Sequence, residues 1–389
     1  MSPTPPLDRD FLVETCRELV RINSINPVLV PGAPGEAEIA SYVAERLKMI
    51  GLEVTRHEPQ PGRVSVVGRL PGSGGNGGRS LMLNAHVDTV GVEGMEDPFS
   101  GDVRGGRLYG RGAYDMKGSL AACIAAAKTV AESGIPLRGD LVVAAVADEE
   151  YGSLGTADLV THTLTDAAIV TEPTALEICL AHKGYIWLKV ETLGRAAHGS
   201  RFEQGVDANM RMGRVLTALA SLEEELRARA PHPLVGPPSL HAALLEGGTG
   251  LSTYAAKCRL QIERRTVPGE DEAQVLREVQ SLLDGLSSSD PSFQARLESF
   301  FVRPPFEVAR DAALVTTLAD AATAVLGKEP RFVGDSPWMD SALLSAAGVE
   351  TVVFGPAGTG AHAEEEWVDV ESMEHCAVVL AATAVSYCA

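Results

Sequence analysis

Residues 81–90 read LMLNAHVDTV. The run from Ser80 to Asn84 has the character of a strand buried on both faces. His86 and Asp88 follow it at positions i and i+2, which face the same side of an extended chain. The same arrangement of an apolar run leading to a polar end recurs along the sequence. Leu141–Ala147 leads to Glu149 and Glu150 in VADEEYG (146–152), and Ala167–Thr171 leads to Glu172 in VTEPT (170–174). Val352–Phe354 precedes a glycine-rich approach to His362 in GTGAHAEEEW (358–367), while Asp115 sits in GRGAYDMKG (110–118), between glycines and a helix start. Strand ends of this kind converge at one edge of a sheet, where open α/β folds bind their ligands.

Around these stretches the periodicity alternates between strand and helix. Helices are expected over 8–22, 36–50, 117–133 and 311–326, and strands over 54–57 and 64–70, with a flexible turn in PGSGGNGGRS (71–80). This is βαβ patterning and predicts an α/β catalytic domain with a mostly parallel sheet and helices on both faces. The pattern changes near Ala181. HKGYIWLKVETLG (182–194) alternates like an antiparallel edge strand. It is followed by a helix over 205–229, strands over 239–245 and 257–264, a helix over 272–283 and a strand over 294–301. That order predicts a smaller α+β domain with a four-stranded sheet and two helices. The expected division is therefore 1–181 and 304–389 for one interrupted domain and 182–303 for the insert.

Composition narrows the class of function. The 33 basic and 52 acidic residues give a net charge of −19, which disfavours nucleic acid and anionic membrane surfaces as partners. No run approaches the length of a membrane span, and the start MSPTPPLDRD lacks the basic and apolar regions of a secretion signal, so a cytoplasmic location is expected. Cys16, Cys123, Cys179, Cys258, Cys376 and Cys388 are scattered in apolar patterns without a CxxC pair. They read as reduced core residues rather than a zinc finger or a nucleophile.

The histidines and carboxylates together point to a two-metal hydrolase. An imidazole is a good zinc ligand, and a carboxylate behind it fixes its tautomer, the part suited to Asp88. Asp115 could bridge two cations or simply cap the following helix. Two adjacent acids at a strand end are costly unless cations neutralise them. One of Glu149 and Glu150 can then ligate while the other serves as general base.

In this order and at these intervals, LNAHVDTV, GRGAYDMKG, VADEEYG, TEPT and GTGAHAEEEW resemble the motifs of a metallopeptidase and deacylase family. It is the family of acetylornithine deacetylase, succinyl-diaminopimelate desuccinylase, aminoacylase-1 and glutamate carboxypeptidase. The resemblance spans most of the chain. It implies two Zn²⁺ ions, with Co²⁺ or Mn²⁺ as alternatives: His86 and Glu172 on one, Glu150 and His362 on the other, and Asp115 bridging through a cis Asp115–Met116 bond. Glu149 would be the general base and Asp88 the support behind His86. It also implies that the insert is a lid and dimerisation domain of a homodimer. GRAAHGSRFEQGVDAN (194–209) resembles the lid motif whose histidine, here His198, reaches the partner subunit's cleft to bind the oxyanion. IERRTVPGE (262–270) resembles the segment whose arginine, here Arg265, binds a substrate carboxylate. Arg264 next to it faces the other way and reads as structural. Ser252 stands where many relatives carry asparagine, and Gly358 in FGPAGTGA could offer a backbone contact. The activity implied is removal of an acyl group from an N-acyl amino acid. A dipeptidase or carboxypeptidase acting on short peptides is the alternative, and a catalytically inactive binding homologue is a further alternative of another class.

Overall fold

The structure, a computed structural model, describes residues 6–74 and 78–389, so the centre of the expected turn at 71–80 lies outside the described residues. These residues form two compact units. One comprises the chain up to Leu180 together with Val308–Val333 and Met339–Ala389, and the other comprises Ala181–Glu307 and Gly334–Trp338.

In the first unit the large sheet runs in the order Glu53–Gln60, Arg63–Leu70, Leu141–Val146, Leu81–His86, Ala167–Val170, Glu350–Val353 and the strand that starts at Ile178. Its three central pairings are parallel, but both flanks are antiparallel. The sheet is thus mixed, whereas the patterning predicts a mostly parallel one. The difference arises at the hairpin 53–70: its turn at Pro61 and Gly62 reverses the chain with Gly62 at φ 80°, and the returning strand joins the Leu141–Val146 edge. Leu81–His86 and Leu141–Val146 are buried at every position, as expected of strands covered on both faces.

Helices form where side chains cap them and an apolar stripe can be buried. Asp8 accepts a hydrogen bond from the Phe11 N–H at 3.0 Å and opens the helix Arg9–Arg21, which buries Leu12, Thr15, Cys16, Leu19 and Val20. Asp369 likewise accepts from Ser372 N–H at the head of Val370–Tyr387, a helix the sequence reading left out, which packs against the Ala-rich helix Gly118–Glu132. All six cysteines are buried free thiols. Among the described residues no helix is long and apolar enough to cross a membrane. A second small sheet, Gly358–Thr359, Trp367–Asp369, Arg107–Tyr109 and Val103–Arg104, ties the loop before His362 to the segment before Asp115.

The second unit holds an antiparallel sheet in the order Ser239–Gly247, Lys257–Thr266, Gly184–Leu193, Ala295–Arg303, with helices Ala208–Ala228 and Glu272–Ser289. Gly184–Leu193 is an interior strand, paired on both sides, and not the edge strand that its alternation suggests. Alternation reports one covered face, and here Leu188 and Val190 pack with Val215, Leu219, Val275 and Val279 in the core. Pairing at the strand's sides leaves no trace in that pattern.

Candidate active site

His86 is the last residue of Leu81–His86. Its Nδ1 lies 3.0 Å from the backbone carbonyl of Asp88, a contact that requires the proton on Nδ1, so Nε2 is the atom turned toward the carboxylates. Nε2 is 3.0 Å from Asp115 Oδ1 and 3.7 Å from Glu172 Oε1. The other oxygen of Asp115 faces a second histidine: Oδ2 is 3.5 Å from His362 Nε2, which is also 3.0 Å from Glu150 Oε2. Two ligand groups result, His86 with Asp115 and Glu172, and His362 with Asp115 and Glu150. Asp115 is common to both, and Glu149 belongs to neither.

The loop that presents Asp115 is shaped by its neighbours. The Asp115–Met116 peptide bond is cis. Gly112 sits at φ 78°, where an added Cβ would lie 2.7 Å from Thr89 Cγ2. Glu366, fully buried, accepts backbone N–H bonds from Gly112, Tyr114 and Asp115 at 3.0 Å each and a 2.6 Å bond from Arg111 Nη1.

Asp88 supports the site differently from the arrangement expected. Its carboxylate lies 3.7 Å from His86 Nδ1, beyond hydrogen-bond length, and the backbone carbonyl takes that place. The carboxylate instead accepts the backbone N–H groups of Glu149 (3.1 Å) and Glu150 (3.2 Å) and the Asn26 side-chain amide (2.8 Å). Asn26 also donates to Asp148 Oδ1 at 2.9 Å, and Arg63 joins Asp148 to Glu36 through bonds of 2.6 Å. Asn26, Glu36, Arg63, Asp88 and Asp148 are all buried, so the pair Glu149–Glu150 hangs on a network drawn from four distant segments. Asp148 itself sits at φ 70°. None of Asn26, Glu36, Arg63, Asp148 or Glu366 was singled out from sequence. Glu366 lies in GTGAHAEEEW and Asp148 in VADEEYG, both quoted for other residues, while Asn26, Glu36 and Arg63 carry no local pattern.

The electrostatics are those of a site built for cations. Burial, and then the charge of Glu172, pushes Glu149 well above the ordinary carboxyl range. Burial does the same to Glu172, and burial followed by Asp115 pushes Glu150 up to about 7. Burial also raises Asp340, which accepts from Thr156 Oγ1 at 2.5 Å. Asp115 behaves oppositely: against its burial, the hydrogen bonds with His362 and His86 hold it well below the usual range. Asp115 and Glu150 in turn raise His362 to about 10. Three carboxylates sharing two imidazoles, buried around His86 and open to solvent at His362, fit two divalent cations, since the donors are all nitrogen or oxygen and one carboxylate is common to both groups.

The remaining expected residues are located as follows. Gly358 starts a strand of the small sheet, where a Cβ would meet Trp367 O at 2.4 Å. His198, Ser252 and Arg265 belong to the second unit. His198 is exposed, and its Nδ1 lies 2.9 Å from Ser200 Oγ. Ser252 O accepts from Gly199 N–H at 2.7 Å, beside the His198–Thr253 bridge. Arg265 Nε donates to Glu263 Oε1 at 2.7 Å, with its guanidinium 5.1 Å from the centre of the Tyr185 ring. Arg264 is fully buried on Glu270, at 2.6 Å.

Comparison with known proteins gives one consistent relationship. Residues 82–386 match the model of peptidase family M20/M25/M40. The chain is 31% identical over 400 residues to an acetylornithine deacetylase of Myxococcus xanthus, covering 100% of this chain and 99% of that protein. It is 28% identical to an N-formyl-4-amino-5-aminomethyl-2-methylpyrimidine deformylase of Bacillus subtilis, over 92% of this chain and 91% of that one. Among solved structures, an aminopeptidase PepT from Bacillus cereus superposes with a TM-score of 0.79 at 19% identity, covering 98% and 99% of the two chains. These matches agree with the motifs and the mixed α/β fold, and the chain therefore belongs to peptidase family M20/M25/M40, as a hydrolase acting on amide bonds.

Proposed function

We propose that this protein is a dizinc deacylase that removes the acyl group from an N-acyl amino acid, with an acetylornithine deacetylase-like substrate as the leading case. The observation that carries the reading is the shared carboxylate of Asp115, one oxygen toward His86 and the other toward His362. The full-length similarity to a deacetylase of known name supports the substrate class. His86 and Glu172 would hold one ion and Glu150 and His362 the other, with Asp115 common to both. When bound, the ions would polarise the scissile carbonyl and lower the pKa of water.

The chain's own residues divide the remaining work. Glu149, outside both ligand groups, is raised by burial and by Glu172, which suits a base that takes a proton from water and returns it to the leaving amine nitrogen. Asp88 acts by fixing the backbone from which Glu149 and Glu150 project. His198, delivered by the 182–303 domain of a second subunit in a homodimer, would donate an N–H to the carbonyl oxygen as negative charge develops. Arg265 has its Nε edge committed to Glu263 and would grip the substrate carboxylate with its Nη edge, with Ser252 and the Gly358 backbone as further contacts. A cytoplasmic setting belongs to the same proposal and agrees with six buried free thiols.

The second reading within this machinery is peptide hydrolysis, as a dipeptidase or carboxypeptidase, since a free carboxylate beside the scissile nitrogen is common to both substrate classes. A panel of N-acetyl, N-succinyl and N-formyl amino acids beside dipeptides, assayed with zinc-loaded and chelator-treated enzyme, separates them. Metal-dependent release from one acyl series is the expected result. Cleavage of dipeptides alone would replace the deacylase reading with the peptidase one, and no turnover on any substrate would favour a binding homologue.

A further inference from the structure

A second cluster of ligating side chains lies outside the residues discussed above. His57, on the strand Glu53–Gln60, faces the helix Leu154–His162, where Asp158 and His162 stand at i and i+4 and so share one face. His57 Nδ1 is 3.7 Å from Asp158 Oδ2, and His162 Nδ1 is 3.7 Å from Asp158 Oδ1. The two rings lie 5.2 Å apart, tilted by 51°. One ligand atom from each of the three residues falls within 4.8 Å of the others.

We propose that His57, Asp158 and His162 form a third divalent-metal site, open to solvent at its remaining position and selective for the zinc class of ions. The separations carry the argument. At 3.7 Å neither imidazole hydrogen-bonds the carboxylate. Two donors about 2.0–2.2 Å from one tetrahedral ion stand roughly 3.4 Å apart. Each imidazole is within a few tenths of an ångström of that separation from one oxygen of Asp158. The ligand atoms as a set, within 4.8 Å of one another, close the rest by side-chain rotation of the exposed His162. Two imidazoles and one carboxylate favour Zn²⁺, Co²⁺ or Ni²⁺ over the hard cations Mg²⁺ and Ca²⁺. His162 Nδ1 also lies 2.8 Å from Thr161 Oγ1 and 3.0 Å from the Asp158 carbonyl. The carbonyl contact puts a proton on Nδ1, so ligation moves that proton to Nε2 of the exposed ring. The Thr161 hydroxyl already donates to the same carbonyl at 2.7 Å, so the carbonyl keeps a partner when Nδ1 turns a lone pair to an ion. The side chains of His57 and Asp158 are only 18% and 22% exposed, while His162 is 53% exposed. Two of the ligands are therefore held by packing and the third closes from solvent.

The site would clamp a sheet-edge strand to a helix whose first residue, Leu154, donates its N–H to Asp148 Oδ2 at 3.3 Å. An ion bound there stabilises the folded chain by mass action. The test uses the full chain loaded with zinc and dialysed against micromolar free Zn²⁺, with zinc counted per chain and the melting temperature recorded. His57→Ala/His162→Ala and, separately, the near-isosteric Asp158→Asn should each lose about one zinc equivalent and the zinc-dependent rise in melting temperature. Both should keep wild-type hydrolase activity. A His86→Ala/His362→Ala variant should lose the other equivalents and retain this one, which separates failure of this site from failure of the proposed catalytic pair. Equal zinc content in wild type and in the folded Asp158→Asn variant would overturn the proposal.

Discussion

Replacing Arg63 by Met tests whether the network behind Glu149 and Glu150 is held by one cation. Met keeps much of the apolar stem, but it removes the guanidinium that donates to Glu36 at 2.6 and 2.8 Å and to Asp148 at 2.6 Å. Asp148 keeps Asn26 and the Leu154 N–H, so the main damage falls on Glu36, whose side chain is fully buried. Burial already raises the Glu36 carboxyl, with Arg63 pulling it back. Without Arg63 the cheapest response is to protonate Glu36. From its ordinary value of 4.5, that costs at pH 7 about 2.5 × 1.36, or roughly 3.4 kcal/mol, within the range of about 3–5 kcal/mol for breaking a buried pair. The sign of the pH dependence follows. A carboxyl whose folded-state pKa is raised favours folding below its unfolded value and loses that contribution as pH rises toward the folded one. The penalty should therefore shrink to roughly 0.7 kcal/mol at pH 5. Urea unfolding followed by circular dichroism at pH 5 and pH 7 measures it, and Arg63→Met/Glu36→Gln should recover most of the loss at pH 7. A loss under about 1 kcal/mol at pH 7, or one that grows on acidification, would refute the reasoning.

Other outcomes are expected from the same structure. Arg265→Ala should raise KM for a carboxylate-bearing substrate by roughly 10- to 100-fold with a smaller change in kcat, the scale of a lost charge-assisted hydrogen bond; an unchanged KM would remove Arg265 from substrate binding. Gly112→Ala should destabilise the protein by more than about 1 kcal/mol, because φ is 78° and the new Cβ meets Thr89; a neutral result in thermal unfolding would contradict the geometry. Asp166 is held below the ordinary range by the backbone N–H and then the hydroxyl of Ser80. A depressed carboxylate contributes stability above its unfolded pKa and loses it as pH falls through the folded value. Asp166→Asn should accordingly flatten the fall in stability below about pH 4 seen in wild type, and identical acid profiles would count against the assignment.

Much of the proposed constellation was legible because His86, Glu149, Glu150 and Glu172 end or follow buried strands, so their position along the chain also places them at the sheet edge, whereas Asp115 stands in a glycine loop. The parallel centre and the two-helix, four-strand insert were legible for the same reason: period and length mark covered strands and amphipathic helices. What escaped the reading depends on partners far away in the chain. Asn26, Glu36 and Arg63 acquire their roles only when three segments meet at Asp148 and Asp88. Glu366 looks like one of three surface acids until Arg111 and three backbone N–H groups bury it. The small sheet at 103–109 and 358–369 is built of strands of two or three residues, too short for any periodicity to register. Asp88 was expected to address His86 through its carboxylate, but that group turned to two backbone amides, a choice no spacing rule distinguishes.

The central claim is that Glu149 moves protons while its neighbours hold the ions, and Glu149→Gln tests it most directly. Zinc content by elemental analysis and turnover of an N-acetyl amino acid should be measured on the same preparation. The account predicts the wild-type complement of zinc with turnover reduced by at least about 10²-fold, the lower bound for loss of a general base. Substantial turnover with zinc intact, or zinc lost together with activity, would contradict it.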